Sequence, residues 1–161
     1  MPALVRRAGR RDLEAIQTLW ERLRELQAKA DERLAPSAGA PATAREHREM
    51  VLSDPNTGFF VAEDRGEVVG YLHAQIESND PIYTSERHGA IVDLFVVEEQ
   101  RRQGVGTRLL EYCAEWLHSH NLSEYRISLP AHAPGAQQFF ERHGATSLHV
   151  VLSASLRPEE S

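Results

Sequence analysis

The sequence predicts a mixed α/β (α+β) domain, and three features predict it. The apolar run Ala90-Ile91-Val92-Asp93-Leu94-Phe95-Val96-Val97 reads as a buried strand, and after Arg101-Arg102-Gln103-Gly104-Val105-Gly106 the chain passes straight into an amphipathic helix. Two β-type segments, Gly58 to Glu63 and Glu67 to Glu77, flank Asp64-Arg65-Gly66 and pair as an antiparallel hairpin. Between and around them lie stretches whose apolar residues recur at helical spacing, so strands and helices alternate along the chain.

Taken in order, Ala3 to Arg7 is a short strand, and Asp12 caps a helix that keeps Leu13, Ile16, Leu19, Trp20, Leu23 and Leu26 on one face. Leu34 to Pro41 is rich in proline and alanine and forms a loop, after which Ala42 to Leu52 is a second helix. The hairpin follows, then a polar loop from Asn79 to Gly89 that leads into the strand at Ala90. The next helix, about Val105 to His120, carries Leu109, Leu110, Cys113, Trp116 and Leu117 on one stripe. A strand at Tyr125 to Leu129, a short helix opened by Pro134 and closed by Gly144, and a final strand at Ser147 to Ser153 complete the order β-α-α-β-β-β-α-β-α-β.

Composition bounds the function. A chain of 161 residues with 41% hydrophobic content is expected to form one domain over 1–161 with a proper core. A net charge of −6 argues against a general binder of nucleic acid or of anionic membranes. The single cysteine, Cys113, excludes an internal disulfide and a cysteine metal cluster, and points to a reducing compartment. No apolar run approaches a membrane span, and Met1-Pro2-Ala3-Leu4 leads into charge rather than a signal-peptide core, so the expectation is a cytoplasmic protein.

The loop Arg101 to Gly106 carries the most chemistry. A strand that ends in glycines and enters a helix aims unpaired backbone N–H groups and the positive helix end at one small volume, which suits a phosphate. Glycine at 104 and 106 lets the backbone approach an anion, and Arg101 and Arg102 can add direct contacts. Gly106 is followed by Thr107-Arg108 rather than Lys-Ser/Thr, which removes a Walker A loop, and Leu109 stands where a dinucleotide fingerprint needs its third glycine. The bland alternative is an ordinary strand-to-helix turn with a solvated basic flank.

With Arg101, Gly104 and Gly106 preceded by Asp93-Leu94-Phe95-Val96, the chain resembles the GCN5-related N-acetyltransferase (GNAT) superfamily, whose fourth strand ends in Arg/Gln-x-x-Gly-x-Gly/Ala. The element order from Leu4 to about Leu152 matches as well. The resemblance implies a mostly antiparallel, mixed sheet of about six to seven strands with about four helices. It implies acetyl-CoA as co-substrate and no metal, with the diphosphate held by Arg101, Arg102, Gln103, Gly104, Val105, Gly106 and Thr107. The backbone groups of Leu94, Phe95 and Val96 would pair with the pantetheine amides as an added strand would. One backbone N–H there would hold the developing oxyanion, an interaction worth roughly 3 to 4 kcal/mol in other systems.

Transfer of an acetyl group requires an unprotonated amine, whose pKa lies near about 10, so a carboxylate or water chain must take its proton. Asp93 interrupts an apolar strand and is the candidate base or amine anchor, with a structural ion pair as its alternative. Relatives often carry Asn-x-x-Ala/Ser-x-x-Phe-Tyr before a Gly-Phe or Gly-Ala, with the tyrosine as acid toward the departing thiolate. Here Ala136, Phe139, Gly144 and Ala145 fit, Ala133 holds the asparagine position and Phe140 the tyrosine position, so the usual acid is absent. Water, Tyr83, Tyr125 or His132 are the substitutes the sequence offers.

Other residues read as structural: His118 and His120 point apart on their helix, Cys113 is a small core hydrophobe, Trp20 and Trp116 lie on apolar stripes, and Glu98 and Glu99 are solvated. The resemblance places the acceptor among Ala28 to Thr43 and Asn79 to Gly89, where Asp31, Glu32, Asp80 and Glu86 would favour a cationic amine. The expected partner is therefore a small-molecule or peptide amine, with no nucleic acid and no membrane. Leu148 to Leu152 could finish the sheet or pair two copies into a homodimer. The function implied is an N-acetyltransferase acting by direct attack in a ternary complex. A non-catalytic acyl-CoA-binding or regulatory module is the alternative that Phe140 and Ala133 keep open.

Overall fold

Five strands and four helices carry the fold in the computed structural model, which describes residues 2–157, the side chain of Pro134 excepted. The outermost positions of the expected 1–161 domain, Met1 and residues 158–161, lie outside the described residues. The strands are β1 (Leu4–Arg7), β2 (Thr57–Asp64), β3 (Glu67–Ser78), β4 (Arg87–Val96) and β5 (Tyr125–Ile127). The helices are α1 (Leu13–Ala30), α2 (Ala40–Val51), α3 (Val105–Ser119) and α4 (Pro134–Arg142). The sheet order is β1-β2-β3-β4-β5, antiparallel except for the parallel β4/β5 pair.

Side chains alternate across the pleat and split the core into two layers. Phe60, Ala62, Leu72, Ala74 and Ile91 pack on one face with Leu109, Cys113, Trp116 and Leu117 of α3. Val61, Tyr71 and Phe95 pack on the other with Ile16 and Leu19 of α1. The β2/β3 hairpin turns through Arg65 at φ 52° and Gly66 at φ 83°, the positive pair that a two-residue turn matching strand twist requires.

Four expectations need correction. Asp12 does not cap α1: its carboxylate accepts from the Gly9 N–H at 2.7 Å and from both terminal nitrogens of Arg6 at 2.8 and 2.9 Å, so a tertiary ion pair outcompetes the local cap. The strand expected from Ala90 begins at Arg87, where pairing with Ser78 extends the β3/β4 ladder into the predicted loop. β5 stops at Ile127 rather than Leu129. The final strand is absent among the described residues: Ser147 to Ser153 has no strand partner, and Leu148, Val150, Val151 and Leu152 are 58 to 89% exposed. The sheet accordingly has five strands rather than six or seven.

Candidate active site

The site begins with a register shift. His73 of β3 faces Asp93 of β4, yet Ala74 faces Ile91, so Val92 is an extra residue without a partner and β4 bulges there. In a regular strand Ile91 and Asp93 would share a face. The bulge breaks that alternation: Ile91 packs with the α3 layer, while Asp93 turns toward α1. Beyond Ile91, which pairs with Ile127, the β5 side of β4 has no strand beside it among the described residues.

Two cavities meet at the bulge, both bordered by Val92 and Asp93. One, of about 160 Å³, opens where β4 and β5 part and is lined by Leu94, Ile127, Leu129, Ala133, Ala136 and Phe140, with Leu23 and Gln27 of α1. The other, of about 190 Å³, lies on the α1/α2 face between Trp20, Arg24, His47, Arg48, Phe59, Tyr71 and His73.

Asp93 is 4% exposed, and each of its carboxylate oxygens accepts one hydrogen bond. Arg24 Nη2 donates to its Oδ1 at 2.5 Å, and the Tyr71 hydroxyl donates to Oδ2 at 3.0 Å. Burial pushes the Asp93 carboxyl above the ordinary range, while Arg24, Tyr71 and Arg48 pull it down. Tyr71 is driven up by its own burial and by the Asp93 charge, so it stays a neutral donor. His73, stacked on Phe59 at 4.0 Å, is pushed down to about 3 by burial and then by Arg48, and its Nε2 has no partner among the described residues.

The loop before α3 delivers free donors. Arg102 at φ 66° and Gly104 at φ 78° are both left-handed, and the main-chain N–H groups from Arg102 to Thr107 have no hydrogen-bond partner among the described residues; the first to be satisfied is that of Arg108, by the Gly104 carbonyl. Gly106 is pressed against α4, where an added Cβ would meet Phe139 at 3.3 Å. Thr107 Oγ1 and His143 Nε2, 3.2 Å apart, tie α3 to the end of α4.

The structure redistributes several of the roles the sequence offered. Arg101 is tied back to β4: its Nε donates to the Val96 carbonyl at 3.1 Å and its guanidinium lies 5.8 Å from the Phe95 ring centre. That bond also occupies one of the β4 backbone groups expected to be free. Arg108, which the sequence reading passed over, sits beside the loop with Nη1 3.4 Å from the Gln103 carbonyl. Tyr83, Tyr125 and His132 line neither cavity.

The second cavity is not built from the two loops expected, and Asp31, Glu32, Asp80 and Glu86 do not line it. Trp20, read as core, forms one of its walls, with the guanidinium carbons of Arg24 and Arg48 at 5.3 and 6.0 Å from its ring centre. Arg24, Arg48, Tyr71 and His73 were missed. His73 left a signal, a lone polar residue in the run Tyr71-Leu72-His73-Ala74, whereas nothing local distinguishes Arg24 or Arg48 from the solvated arginines around them. Cys113 is fully buried and its thiol is pushed up to about 12 by that burial, as a core residue should be.

No helix among the described residues is long and apolar enough to cross a membrane, and no cluster of His, Cys, Asp or Glu among them could hold a metal ion.

Comparison with known proteins follows from this geometry. An N-alpha-acetyltransferase of Sulfurisphaera tokodaii is 44% identical over 64 residues, and the N-terminal acetyltransferase complex ARD1 subunit homolog of Dictyostelium discoideum is 38% identical over 60. Each match covers 37% of this chain, and the chain spans only 38% and 27% of the two relatives' lengths. The solved structure of AAC(6')-Iy in complex with the bisubstrate analog CoA-S-monomethyl-acetylneamine shares the fold, with a TM-score of 0.78 at 18% identity, over 98% of this chain and 100% of that one. The family model for the acetyltransferase (GNAT) family matches residues 20–145, which takes in both cavities, the bulge and the donor loop. The chain belongs to the acetyltransferase (GNAT) family.

Proposed function

We propose that the protein transfers the acetyl group of acetyl-CoA to a primary amine of a small molecule or peptide, by direct attack while both are bound. The observation that carries this reading is the meeting of the two cavities at Val92 and Asp93, on a strand whose continuation reaches the donor loop. When bound, acetyl-CoA supplies an activated acyl thioester. The chain's residues suit it: the free N–H groups of Arg102 to Thr107, with the Arg102 and Arg108 side chains, match a diphosphate in charge and donor type. The unpaired side of β4 at Leu94 and Phe95 offers backbone groups to amides, as an edge strand does.

Asp93 takes the proton from the attacking amine or anchors it. A carboxylate whose affinity for protons is raised by burial suits a base better than a solvated one. Arg24 and Tyr71 fix its orientation and leave the remaining lone pairs for the amine.

The alternative, an acyl-CoA-binding or regulatory module without turnover, is favoured by one observation: Phe140 is 4% exposed and, with Ala133, lines the first cavity, at the position where family members often carry a tyrosine acid. Incubation with acetyl-CoA and a panel of amines, following release of free thiol, separates the two. Turnover on any amine supports transfer; tight acetyl-CoA binding with no turnover on the whole panel supports the module. Pairing of two copies through Leu148 to Leu152, whose side chains are exposed, is tested by sedimentation of the wild type against Val150→Lys.

A further inference from the structure

We infer that the acceptor amine carries a carboxylate, as a free amino acid does, and that Arg48 receives that carboxylate in the cavity between α1, α2 and β3. This deepens the transfer reading and rests on it for the identity of the cavity as the acceptor site.

The charges lining the cavity do not balance. Arg24 and Arg48 bring two guanidiniums against the single carboxylate of Asp93, and Arg24 already holds that carboxylate. Arg48 is 5% exposed and has no carboxylate partner among the described residues. Its one hydrogen bond runs from Nη1 to Gln17 Oε1 at 2.7 Å, and Gln17 is itself pinned to α2 by donating to the Pro41 carbonyl at 3.1 Å. The guanidinium is thus prepositioned with donors left over. Asp93 acts on Arg48 only at a distance and is already held by Arg24; a buried cation without a direct carboxylate contact is costly unless a ligand completes it, and a planar fork of N–H groups matches a carboxylate best.

His73 points the same way. It is 8% exposed, borders the cavity and leaves its buried Nε2 without a partner among the described residues, a second unsatisfied polar group beside Arg48. Both guanidiniums also lie over the Trp20 ring, a favourable contact for each cation. A polycationic acceptor would bring further positive charge beside two guanidiniums, and the acids that might have welcomed it lie elsewhere. A carboxylate-bearing amine instead puts its anion on Arg48 and its nitrogen toward Asp93. A cavity of about 190 Å³ suits a small molecule of this kind.

The test is a calorimetric titration of free amino acids, each beside its own carboxamide, into the protein with and without coenzyme A. The expected result is at least one amino acid that binds tenfold or more tightly than its carboxamide. That preference should be lost in Arg48→Met and reduced in Arg48→Lys, with both variants checked for folding by circular dichroism. Equal or tighter binding of every carboxamide, no binding of any amino acid at tens of millimolar, or tighter binding of a peptide with an acidic residue beside its α-amine would each overturn the inference. The wild-type comparison stands even if a variant fails to fold. The titration reads binding alone, so failure of the transfer reading shows separately, as absence of thiol release with every amine.

Discussion

Arg24, on α1, places its Nη2 2.5 Å from Oδ1 of Asp93, on β4, so a helix and a bulged strand far apart in sequence share one ion pair at the junction of two cavities. That contact fixes where the Asp93 carboxylate points, and the bulge at Val92 decides that it points toward α1 at all. Removing the proton acceptor while keeping its shape is the direct consequence to examine. Asp93→Asn is expected to lower kcat/KM by about 10²-fold or more, the scale of a positioned general base, with acetyl-CoA affinity little changed. Steady-state kinetics and a coenzyme A titration of the same variant check this. Undiminished kcat/KM would return Asp93 to a purely structural ion pair.

The cleft side of the same junction lacks a hydroxyl where Phe140 stands. Phe140→Tyr is expected to raise kcat, by about tenfold, because it supplies a donor toward the departing thiolate. Single-turnover measurement across pH checks it, and a rate unchanged at every pH would mean that thiolate protonation is not the slow step.

Gly104 adopts φ 78°, and an added side chain there is strained whatever the space around it. Gly104→Val is expected to cost about 1 to 3 kcal/mol of stability and to weaken coenzyme A binding, since relief of the strain redirects the N–H groups around it. Urea unfolding and calorimetry on the variant read the two effects separately.

Burial of neutral His73 makes stability depend on acid. Its pKa is pushed down to about 3 in the folded chain against an ordinary value of 6.5, so the unfolded chain binds more protons between those values. This contribution is complete above pH 6.5 and is lost as pH falls toward 3, at about 1.4 kcal/mol per unit at most. The raised Asp93 carboxyl acts with opposite sign, so single residues are separated by variants. The stability gap between wild type and His73→Gln should narrow from pH 7 to pH 5 in urea unfolding; parallel curves would contradict the assignment.

Cys113, fully buried with its thiol pushed up to about 12, is expected to stay unreactive toward disulfide reagents until the protein unfolds. Thiol counting before and after denaturation checks this, and it also keeps the protein's own thiol out of an assay for free coenzyme A.

What could be read from the chain follows the range of the forces involved. The donor loop and α3 are set by local chemistry, glycine at 104 and 106 and an apolar stripe from Leu109 to Leu117, and both are where the sequence puts them. Asp93 stood out because a charge in an apolar strand needs a reason. Its partners did not, because Arg24 and Tyr71 reach it only through helix placement and strand register. Asp12 was misread because it follows a local rule, the helix cap, that its ion pair with Arg6 overrides. Leu148 to Leu152 has the composition of a strand, but a strand forms only against an edge, and no such pairing occurs among the described residues.

The central claim is that the main-chain donors from Arg102 to Thr107 receive the diphosphate of coenzyme A. Backbone amide resonances recorded during a coenzyme A titration test it most directly. The account predicts a saturable response whose largest shifts fall on Gln103 to Thr107 and extend along Leu94 and Phe95; a saturable response centred elsewhere, or none at all in folded protein, would contradict it.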